Sequence, residues 1–418
     1  MKMVEEEVVI VGAGIAGLAT AVALQRLGIR ALVLEKAQGL RSTGAALTLG
    51  PNAWFALDAL GVAHKLSSIY APIKRGSFTD VRTGATREVS LAAPEATGFR
   101  AGPRPVHRKT LLEALADELP IGVIRFSSQI DAIETQSLNG SPIPVLHLSD
   151  GTVIKSKILI GCDGVNSIVA RWLGLGAAVE SGRSAVRGLA VFPDGHGLKH
   201  EVSQFLDVGI RAGFVPLNDK EVYWFLSYRS STGEIMARDP ESLKQAILEN
   251  FAKDFPERYK DMVRHSELST LTWAPLKFRY PWGIAFGDLR KGNITVAGDA
   301  MHPMTPDLAQ GGCAALEDAV VLGRHIGNSL LKNGGLIPGA IAQALDGYVQ
   351  ERKWRVSWIV TGAFLAGWIQ QAGSNWWMKI LRALFYMFLF SQIITVADYD
   401  CGKLPRVSSE SSNSKKIE

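Results

Sequence analysis

The stretch from Val8 to Leu18, VVIVGAGIAGL, decides the fold of this chain. A short run of β-branched residues leads into three glycines spaced as GxGxxG. Apolar residues at helical spacing follow as far as Leu27, and Gly28 stands where a C-terminal cap glycine belongs. A second apolar run, Ala31–Leu34, ends at Glu35. The order strand, glycine turn, helix and strand indicates a βαβ unit with parallel strands.

Each glycine of this turn has a separate expected task. Gly12 permits the tight turn, Gly14 lets a pyrophosphate approach the backbone, and Gly17 lets the helix pack close to the strand. The helix N-terminus offers unpaired N–H groups to the anion. Glu35 lies at the end of the second strand, where a carboxylate accepts hydrogen bonds from a ribose diol. The sequence therefore predicts a dinucleotide site for FAD or NAD, with a glycine turn used only for packing as the alternative.

Composition narrows the class of protein. The chain has 418 residues, 47% of them hydrophobic and 20% charged, and a net charge of +5 spread along its length. This argues against nucleic-acid binding. The three cysteines, Cys162, Cys313 and Cys401, are far apart, so they indicate neither a zinc site nor a disulfide framework. No secretory or transit segment precedes the first strand, which favours the cytoplasm, although an organelle or a longer precursor stays open.

Later segments predict an α/β fold with an inserted domain. Buried strands are expected at Val153–Ile160 and Ile294–Val296, and a helix from Gly312 to Leu331. Between them, Ser184–Tyr280 is rich in alternating and aromatic segments, which is typical of a mixed sheet. We predict a Rossmann-like FAD-binding domain (1–76, 101–183 and 284–345), an inserted mixed β-sheet substrate domain (77–100 and 184–283), C-terminal helices (346–402) and a disordered tail (403–418).

Three further clusters carry a resemblance to a known family. The segment Gly161-Cys162-Asp163-Gly164 follows one strand, and Gly298-Asp299-Ala300 follows another and continues to Gln310-Gly311-Gly312. Arg108 stands in VHRKTL. In this order after GxGxxG, the clusters resemble those of class A flavoprotein monooxygenases, which include hydroxylases of the p-hydroxybenzoate hydroxylase type and zeaxanthin epoxidases. The likeness covers residues 7–350, and Pro303–Ala319 is especially similar to plant monooxygenases related to zeaxanthin epoxidase.

The resemblance implies a set of FAD-binding residues. Asp299 would accept from the ribityl hydroxyls, Asp163 and Arg108 would hold the diphosphate region, and the backbone at Gly311 and Gly312 would approach the flavin pyrimidine edge. The full expected set is Gly12, Gly14, Ile15, Ala16, Gly17, Glu35, Lys36, Arg41, Ala46, Arg108, Asp163, Gly164, Asp299, Pro303, Gly311 and Gly312. The alternatives are a turn-capping Asp299, a turn-forming Asp163 and a surface Arg108.

Two positions depart from the family pattern. Ala309 stands where a glycine is common, which puts the mobility of its loop in doubt. Cys313 stands where many members have asparagine, although it matches the plant subset.

The resemblance also implies the chemistry. NADH or NADPH would bind transiently, since no second GxGxxG is linked to a βαβ unit. Hydride would pass to FAD, and a flavin C4a-(hydro)peroxide formed with O2 would hydroxylate or epoxidise a small, apolar or aromatic substrate. An FAD-dependent reductase of the geranylgeranyl-reductase type is the alternative, and a flavin-binding protein without turnover is a third possibility.

The substrate is expected between the flavin and the inserted sheet. The candidate wall residues are Gln204, Phe205, Arg211, Phe214, Tyr223, Trp224, Phe225 and Tyr228, and sequence alone leaves open which face of the sheet is the core. Arg211, Tyr223, Tyr228 and Pro303 are weak catalytic candidates. His200 and His302 are further candidates for a base, which a phenol hydroxylase would use and an epoxidase would not.

The C-terminal region is rich in aromatic residues. Five tryptophans fall within Trp354–Trp377, and Ile380–Ala397 is mostly apolar. This pattern fits helices packed on the flavin domain or a partner, an interfacial helix at a membrane surface, or a single span, for which it is slightly short. A monomer and a homodimer are both compatible with the sequence.

Overall fold

The computed structural model describes residues 2–40, 45–92, 95–138, 141–229, 239–370 and 396–406. The strands are β1 Lys2–Val11, β2 Ala31–Leu34, β3 Ala46–Leu49, β4 Arg75–Asp80, β5 Thr86–Ser90, β6 Arg104–His107, β7 Ile124–Arg125, β8 Ile130–Leu138, β9 Ser141–Leu148, β10 Thr152–Gly161, β11 Val179–Val191, β12 Val202–Asp207, β13 Ile210–Pro216, β14 Glu221–Arg229, β15 Thr272–Phe278, β16 Arg290–Lys291 and β17 Ile294–Val296. The α-helices are α1 Ile15–Arg26, α2 Pro51–Ala59, α3 Ala63–Ser67, α4 Arg108–Ala116, α5 Ile168–Trp172, α6 Pro240–Ala246, α7 Glu257–Arg264, α8 Pro281–Ala285, α9 Gly311–Asn333 and α10 Pro338–Gln370.

The first sheet is built on the predicted βαβ unit. Its order is β16-β17-β10-β1-β2-β7, with parallel pairing from β17 through β7, and β8 and β9 extend it from β10. The β1 residues from Val8 to Ile10 are fully buried because both faces of the sheet are covered. The carboxyl ends of β1, β10 and β17 meet at one edge, so the three turns that follow them lie together. The predicted Rossmann-like α/β fold is confirmed.

The second sheet comes from two separate stretches of the chain. Its order is β15-β11-β14-β13-β12-β4-β5, in which β4 pairs parallel to β12 and the other pairs are antiparallel. One face is covered by α6 and α7 over an apolar cluster that includes Phe205, Trp224 and Tyr259. The other face turns toward the first sheet's turns. The exact domain boundaries stay a prediction.

The C-terminal helix α10 packs on α8 and α9 and begins before the expected boundary at 346. In the part of the chain that the structure describes, no helix is both long and apolar enough to cross a membrane. The predicted membrane-contacting segment falls largely on residues 371–395, which lie outside the described residues. The predicted disordered tail is wrong at its start, because Leu404 and Pro405 pack against glycines of α9.

Candidate active site between the two sheets

A cavity of about 670 Å³ lies between the two sheets. One side is formed by the turn between β1 and α1, the turn after β17 and the N-terminus of α9. The opposite side is the open face of the second sheet. The cavity therefore joins the predicted cofactor turns to the predicted substrate wall.

At two positions of the glycine turn, a side chain would collide with the backbone. A Cβ on Gly17 would lie 1.9 Å from the carbonyl oxygen of Gly12, and one on Gly12 would lie 2.6 Å from that of Cys162. These two glycines therefore allow strand and helix to pack. Gly14 instead lines the cavity, and a Cβ there would meet nothing within 4 Å. The open backbone at Gly14 leaves the room that a bound pyrophosphate requires, so the turn fits a dinucleotide.

Glu35 is buried beside this turn. Its Oε2 accepts a hydrogen bond from the backbone N–H of Ala13 at 2.8 Å, and its Oε1 accepts one from Ala37 at 2.9 Å. Each carboxylate oxygen keeps a second acceptor position. Glu35 therefore fixes the turn and still has the capacity to accept from a ribose hydroxyl.

Asp299 lies in the short turn after β17 and is exposed to the cavity. The surrounding protein desolvates the carboxyl and raises its pKa, whereas the nearby charges of His302, Arg108 and Arg187 oppose this rise. An accessible carboxylate at the floor of a cavity is suited to accept hydrogen bonds from a polyol such as the ribityl chain.

The N-terminus of α9 borders the same cavity. Gly311 and Gly312 both line it, so backbone N–H groups and the positive end of the helix dipole face the enclosed space. Ala309, just before them, adopts a left-handed conformation with φ of 53° and ψ of 28°. A glycine adopts this conformation freely, whereas an alanine is strained in it.

The remaining predicted cofactor residues divide into three groups. Those that line the cavity are Ile15, Ala16, Ala46, Arg108 and Gly164. Lys36 is exposed and does not line the cavity, and Pro303 is buried behind its loop, where its carbonyl accepts from the backbone N–H of Arg279. Arg41 lies outside the described residues.

Asp163 serves the local backbone. Its Oδ1 accepts from the Ser167 hydroxyl at 2.5 Å and its Oδ2 accepts from the Ile168 N–H at 2.7 Å, at the start of α5. Burial raises the pKa of this carboxyl despite these hydrogen bonds. These contacts are those expected of an Asp163 that forms a turn. A direct contact between Asp163 and the FAD diphosphate stays a prediction.

The open face of the second sheet forms the other wall. Gln204, Arg211, Tyr223 and Phe225 line the cavity. The alternation predicted for a strand thus separates Tyr223 and Phe225 from the intervening Trp224. Gly213 makes room for this wall, because a Cβ there would lie 2.9 Å from the Phe225 ring.

Four of the candidate wall residues are on the wrong face. Phe205, Phe214, Trp224 and Tyr228 are buried in the cluster under α6 and α7. Tyr228 accepts a hydrogen bond from Trp273 Nε1 at 2.9 Å, and its ring packs on Phe251. The proposal that Tyr228 is catalytic is therefore wrong, because side-chain alternation directs it away from the cavity.

None of the candidate bases His200, His302 and Tyr223 is placed to take a proton from a substrate in the cavity. His302 is fully buried and shares a short hydrogen bond of 2.6 Å with Asp318. His200 contacts the carbonyl oxygen of Ala71 on an exposed segment. Tyr223 lines the cavity, but burial raises its pKa, although the charge of Arg187 acts in the opposite direction. Tyr223 is therefore a hydrogen-bond donor rather than a base.

A carboxylate that the sequence analysis missed joins the two walls. Asp307 lies in the loop between the β17 turn and α9, and both of its oxygens accept from Arg183, at 3.0 and 2.7 Å. Arg211 donates to the same carboxylate at 3.1 Å and to Gln204 at 2.9 Å. Although burial raises the pKa of Asp307, the two guanidinium groups lower it overall. We call Arg183, Arg211 and Asp307 the loop latch.

A second buried network supports the turn that carries Asp299. Asp318 on α9 accepts from the Gly298 N–H at 2.8 Å and from His302. Arg352 on α10 donates to Asp318 at 2.7 Å and to Glu317 at 2.6 Å. The three charged side chains are fully buried. This network therefore holds the turn at Gly298 in place through the hydrogen bond from its N–H to Asp318.

Comparison with known proteins decides the family. Residues 5–363 match the FAD-binding domain family. The chain is 42% identical to Monooxygenase 2 of Arabidopsis thaliana over 95% of this chain and 98% of that protein. The chain belongs to the class A flavoprotein monooxygenases. It is an enzyme, its cofactor is FAD, and the predicted resemblance is confirmed.

More distant relatives of this monooxygenase agree. The chain is 29% identical to the FAD-dependent urate hydroxylase of Klebsiella pneumoniae over 75% of this chain and 80% of that protein. The crystal structure of Klebsiella pneumoniae HpxO complexed with FAD and uric acid superposes with a TM-score of 0.79 at 26% identity, over 94% of this chain and 96% of that one. These relatives favour the monooxygenase over the reductase alternative.

Proposed function

We propose that this monooxygenase uses NADH or NADPH to hydroxylate or epoxidise a small, apolar or aromatic substrate. The observation that carries the proposal is the single cavity shared by the cofactor turns and the aromatic face of the second sheet. A substrate on that face would lie directly opposite the flavin-binding elements. The proposed hydride donor would bind transiently, since the sequence contains no second glycine turn of the βαβ type.

The cofactor would be held by groups from three turns. The backbone at Gly14 would receive the pyrophosphate, Asp299 would accept from the ribityl hydroxyls, and the α9 N-terminus at Gly311 would face the flavin ring. When bound, FAD supplies hydride acceptance and the activation of O2. The chain itself orients the reactants and excludes water from the cavity.

The substrate would lie against the aromatic part of the wall. Tyr223 and Phe225 present their rings to the cavity. Flat rings stack favourably on such side chains. The relatives named urate hydroxylase and 3-hydroxybenzoate 6-hydroxylase act, by their names, on small ring compounds, which supports a substrate of that size. Tyr223, as an un-ionised hydroxyl, could hold a substrate oxygen in place.

The test is the absorbance spectrum of the purified protein, followed without oxygen as NADPH or NADH is added and then with air. We expect flavin bands near 370 and 450 nm (about the usual positions), bleaching by one nicotinamide and O2 consumption matched by oxygenated product. Candidate ring compounds are supplied in turn. Bleaching followed by reoxidation that releases only hydrogen peroxide with every compound would contradict the proposed oxygen insertion into ring compounds.

We also propose peripheral contact with an anionic lipid surface. On α10, Trp354, Trp358 and Trp368 are 50%, 73% and 43% exposed, and Trp282 and Phe286 lie on the neighbouring α8 region at 60% and 78%. Tryptophan has an apolar ring and a polar N–H, a combination suited to the lipid headgroup region. Lys353 Nζ lies 5.8 Å from the centroid of the Trp354 ring, so a positive charge lies beside this surface and favours anionic lipids.

Sedimentation with vesicles of phosphatidylserine and phosphatidylcholine tests this surface. We expect the full chain to sediment with the vesicles and the double variant Trp354→Ser, Trp358→Ser to sediment less. Ile121→Ser, at a fully exposed position on another surface, is the control. Equal sedimentation of both variants and the parent chain would overturn the proposed contact.

A further inference from the structure

A buried arginine binds the backbone of the turn that follows β17. Arg279 comes directly after β15 and is only 4% exposed. Its Nη1 donates to the carbonyl oxygens of Ala300 at 2.7 Å and of Met301 at 2.6 Å, and its backbone N–H donates to that of Pro303 at 3.0 Å. Its Nε donates to the carbonyl oxygen of Gly176 at 3.0 Å. Arg279 therefore joins the cofactor turn to the segment that leads into β11.

The charge of Arg279 is balanced by carbonyl groups. Within the residues that the structure describes, it forms no ion pair with a carboxylate. A buried charge without a counter-charge costs free energy, and burial lowers the pKa of this guanidinium. Charge-assisted hydrogen bonds to carbonyl oxygens offset part of this cost. The carbonyls of Ala300 and Met301 end a short helical turn, where carbonyl groups lack partners within the turn itself, so Arg279 caps the turn.

The same turn is held at its other end by a charge of opposite sign. Gly298–Ala300 forms one turn of 3-10 helix, and the N–H of Gly298 donates to the buried carboxylate of Asp318 at 2.8 Å. Asp299 lies between this anchor and the carbonyl groups that Arg279 binds. The backbone of Asp299 is therefore fixed on both sides, while its side chain is open to the cavity.

The two anchors come from different parts of the fold. Asp318 lies on α9, which belongs to the cofactor side of the cavity. Arg279 follows Phe278, the last residue of β15, and Phe278 pairs with Val179 at the start of β11. Both strands belong to the second sheet, whose open face forms the opposite wall. The position of the cofactor turn is therefore tied to the second sheet through Arg279.

We propose that Arg279 is a positioning residue for FAD, because it holds the carbonyl end of the turn and so keeps the Asp299 carboxylate where it accepts hydrogen bonds from the ribityl hydroxyls. The inference rests on the proposed function in one respect, since it takes Asp299 as the residue that binds the ribityl chain. Arg279 does not line the cavity itself, so it acts on FAD through the turn.

A double-mutant cycle tests this role through the dissociation constant of FAD, measured by fluorescence titration of the full-length apoprotein. Arg279→Met should raise this constant about tenfold, which is the contribution of one charge-assisted hydrogen bond. In a chain that already carries Asp299→Ala, Arg279→Met should change it by less than about twofold, because the carboxylate that the arginine positions is gone. An unchanged constant in the parent chain, or an equal loss of affinity in both chains, would overturn the proposal.

Two further variants separate positioning from a general loss of stability, which urea unfolding of each apoprotein measures. Arg279→Lys keeps the charge and a donor for the carbonyl groups, so it should lose less FAD affinity than Arg279→Met, and it replaces Arg279→Met in the cycle if that variant does not fold. Arg104→Met is the matched control, because Arg104 is 9% exposed, donates to the carbonyl oxygen of Tyr70 at 2.8 Å and does not line the cavity. It should keep the FAD affinity of the parent chain. An equal loss of FAD affinity in Arg104→Met would show a general effect of removing a buried arginine and would also overturn the proposal.

The flavin placement and the role of Arg279 fail in distinguishable ways. If Asp299→Ala alone leaves FAD affinity unchanged, the proposed position of the ribityl chain is wrong, and the role of Arg279 is wrong with it. If Asp299→Ala weakens FAD binding but the effect of Arg279→Met adds to it in full, the flavin placement stands and only the role of Arg279 is removed.

Discussion

Asp299 is the residue whose substitution tests the placement of FAD. Asp299→Ala removes a cavity-facing carboxylate without removing a hydrogen bond within the described protein. The loss of charge-assisted bonds to the ribityl chain, about 1.5–3 kcal/mol, should raise the dissociation constant of FAD roughly 10- to 100-fold. Fluorescence titration of the apoprotein with FAD measures this. Asp288→Ala, at an exposed position, is the control, and equal affinity in both variants would refute this position for the flavin.

The substitution Ala309→Gly tests whether the backbone of the loop before α9 is strained. Its positive φ costs an alanine about 1–2 kcal/mol, and a glycine relieves this while losing about 0.5–1 kcal/mol of backbone entropy. Ala309→Gly should therefore raise the free energy of unfolding by about 0.5 kcal/mol. Urea unfolding of the apoprotein measures the change. The matched control Ala300→Gly, in a buried short turn with no positive φ, should lower stability. A loss of stability in Ala309→Gly would contradict the strain.

Single residues also show what sequence could predict. Gly12, Gly14, Gly17 and Glu35 follow a local spacing rule, and the structure brings them to one turn. The position of Arg187 follows only from the alternation of side chains along a strand. This alternation does not determine which face of the sheet lines the cavity. That choice depends on α6 and α7 covering the other face, which is a tertiary contact that no local pattern encodes.

At the scale of elements, the loop latch holds the loop before α9 against the second sheet. Asp307→Asn would leave Arg183 buried without its counter-charge, which should lower the free energy of unfolding by about 3–5 kcal/mol. Hydrogen exchange of the backbone N–H groups between Met304 and Gln310 should also become faster, since the loop loses its anchor. The exposed pair of Asp261 and Arg264 provides the control, where Asp261→Asn should cost under about 1 kcal/mol. If hydrogen exchange in the loop is unchanged in Asp307→Asn, the loop latch does not anchor the loop.

The elements differ in whether a local sequence pattern or a long-range contact determines them. Ala31–Leu34 and Ile294–Val296 were predicted with their observed bounds, because short apolar runs between turn residues are a local signal. The latch escaped prediction because Arg183 and Asp307 are 124 residues apart and meet only after two elements from different sheets pack. Contacts between residues so far apart in the chain depend on the topology of the fold and not on local sequence spacing.

For the whole molecule, the buried network of Glu317, Asp318 and Arg352 links α9 and α10 to the turn after β17. Burial raises the pKa of Asp318, but the charges of His302 and Arg352 outweigh this and lower the pKa to about 2. The pKa of Glu317 is lowered in the same way by Arg352 and Arg355. A carboxylate with a lowered pKa stabilises the folded state above its unfolded pKa, and this contribution is lost as the pH falls toward the folded value.

The pH dependence of unfolding tests this network across the molecule. The free energy of unfolding should fall between about pH 4 and pH 2, and Asp318 alone should contribute about 2 kcal/mol of that fall. Arg352→Met removes the shared guanidinium, so both carboxylates regain higher pKa values and the loss of stability should begin at a higher pH. Urea unfolding at a series of pH values, with Arg264→Gln as the control, measures the two curves. If Arg352→Met lowers stability equally at every pH, the network is held by packing and its charges do not set the acid limit of the fold.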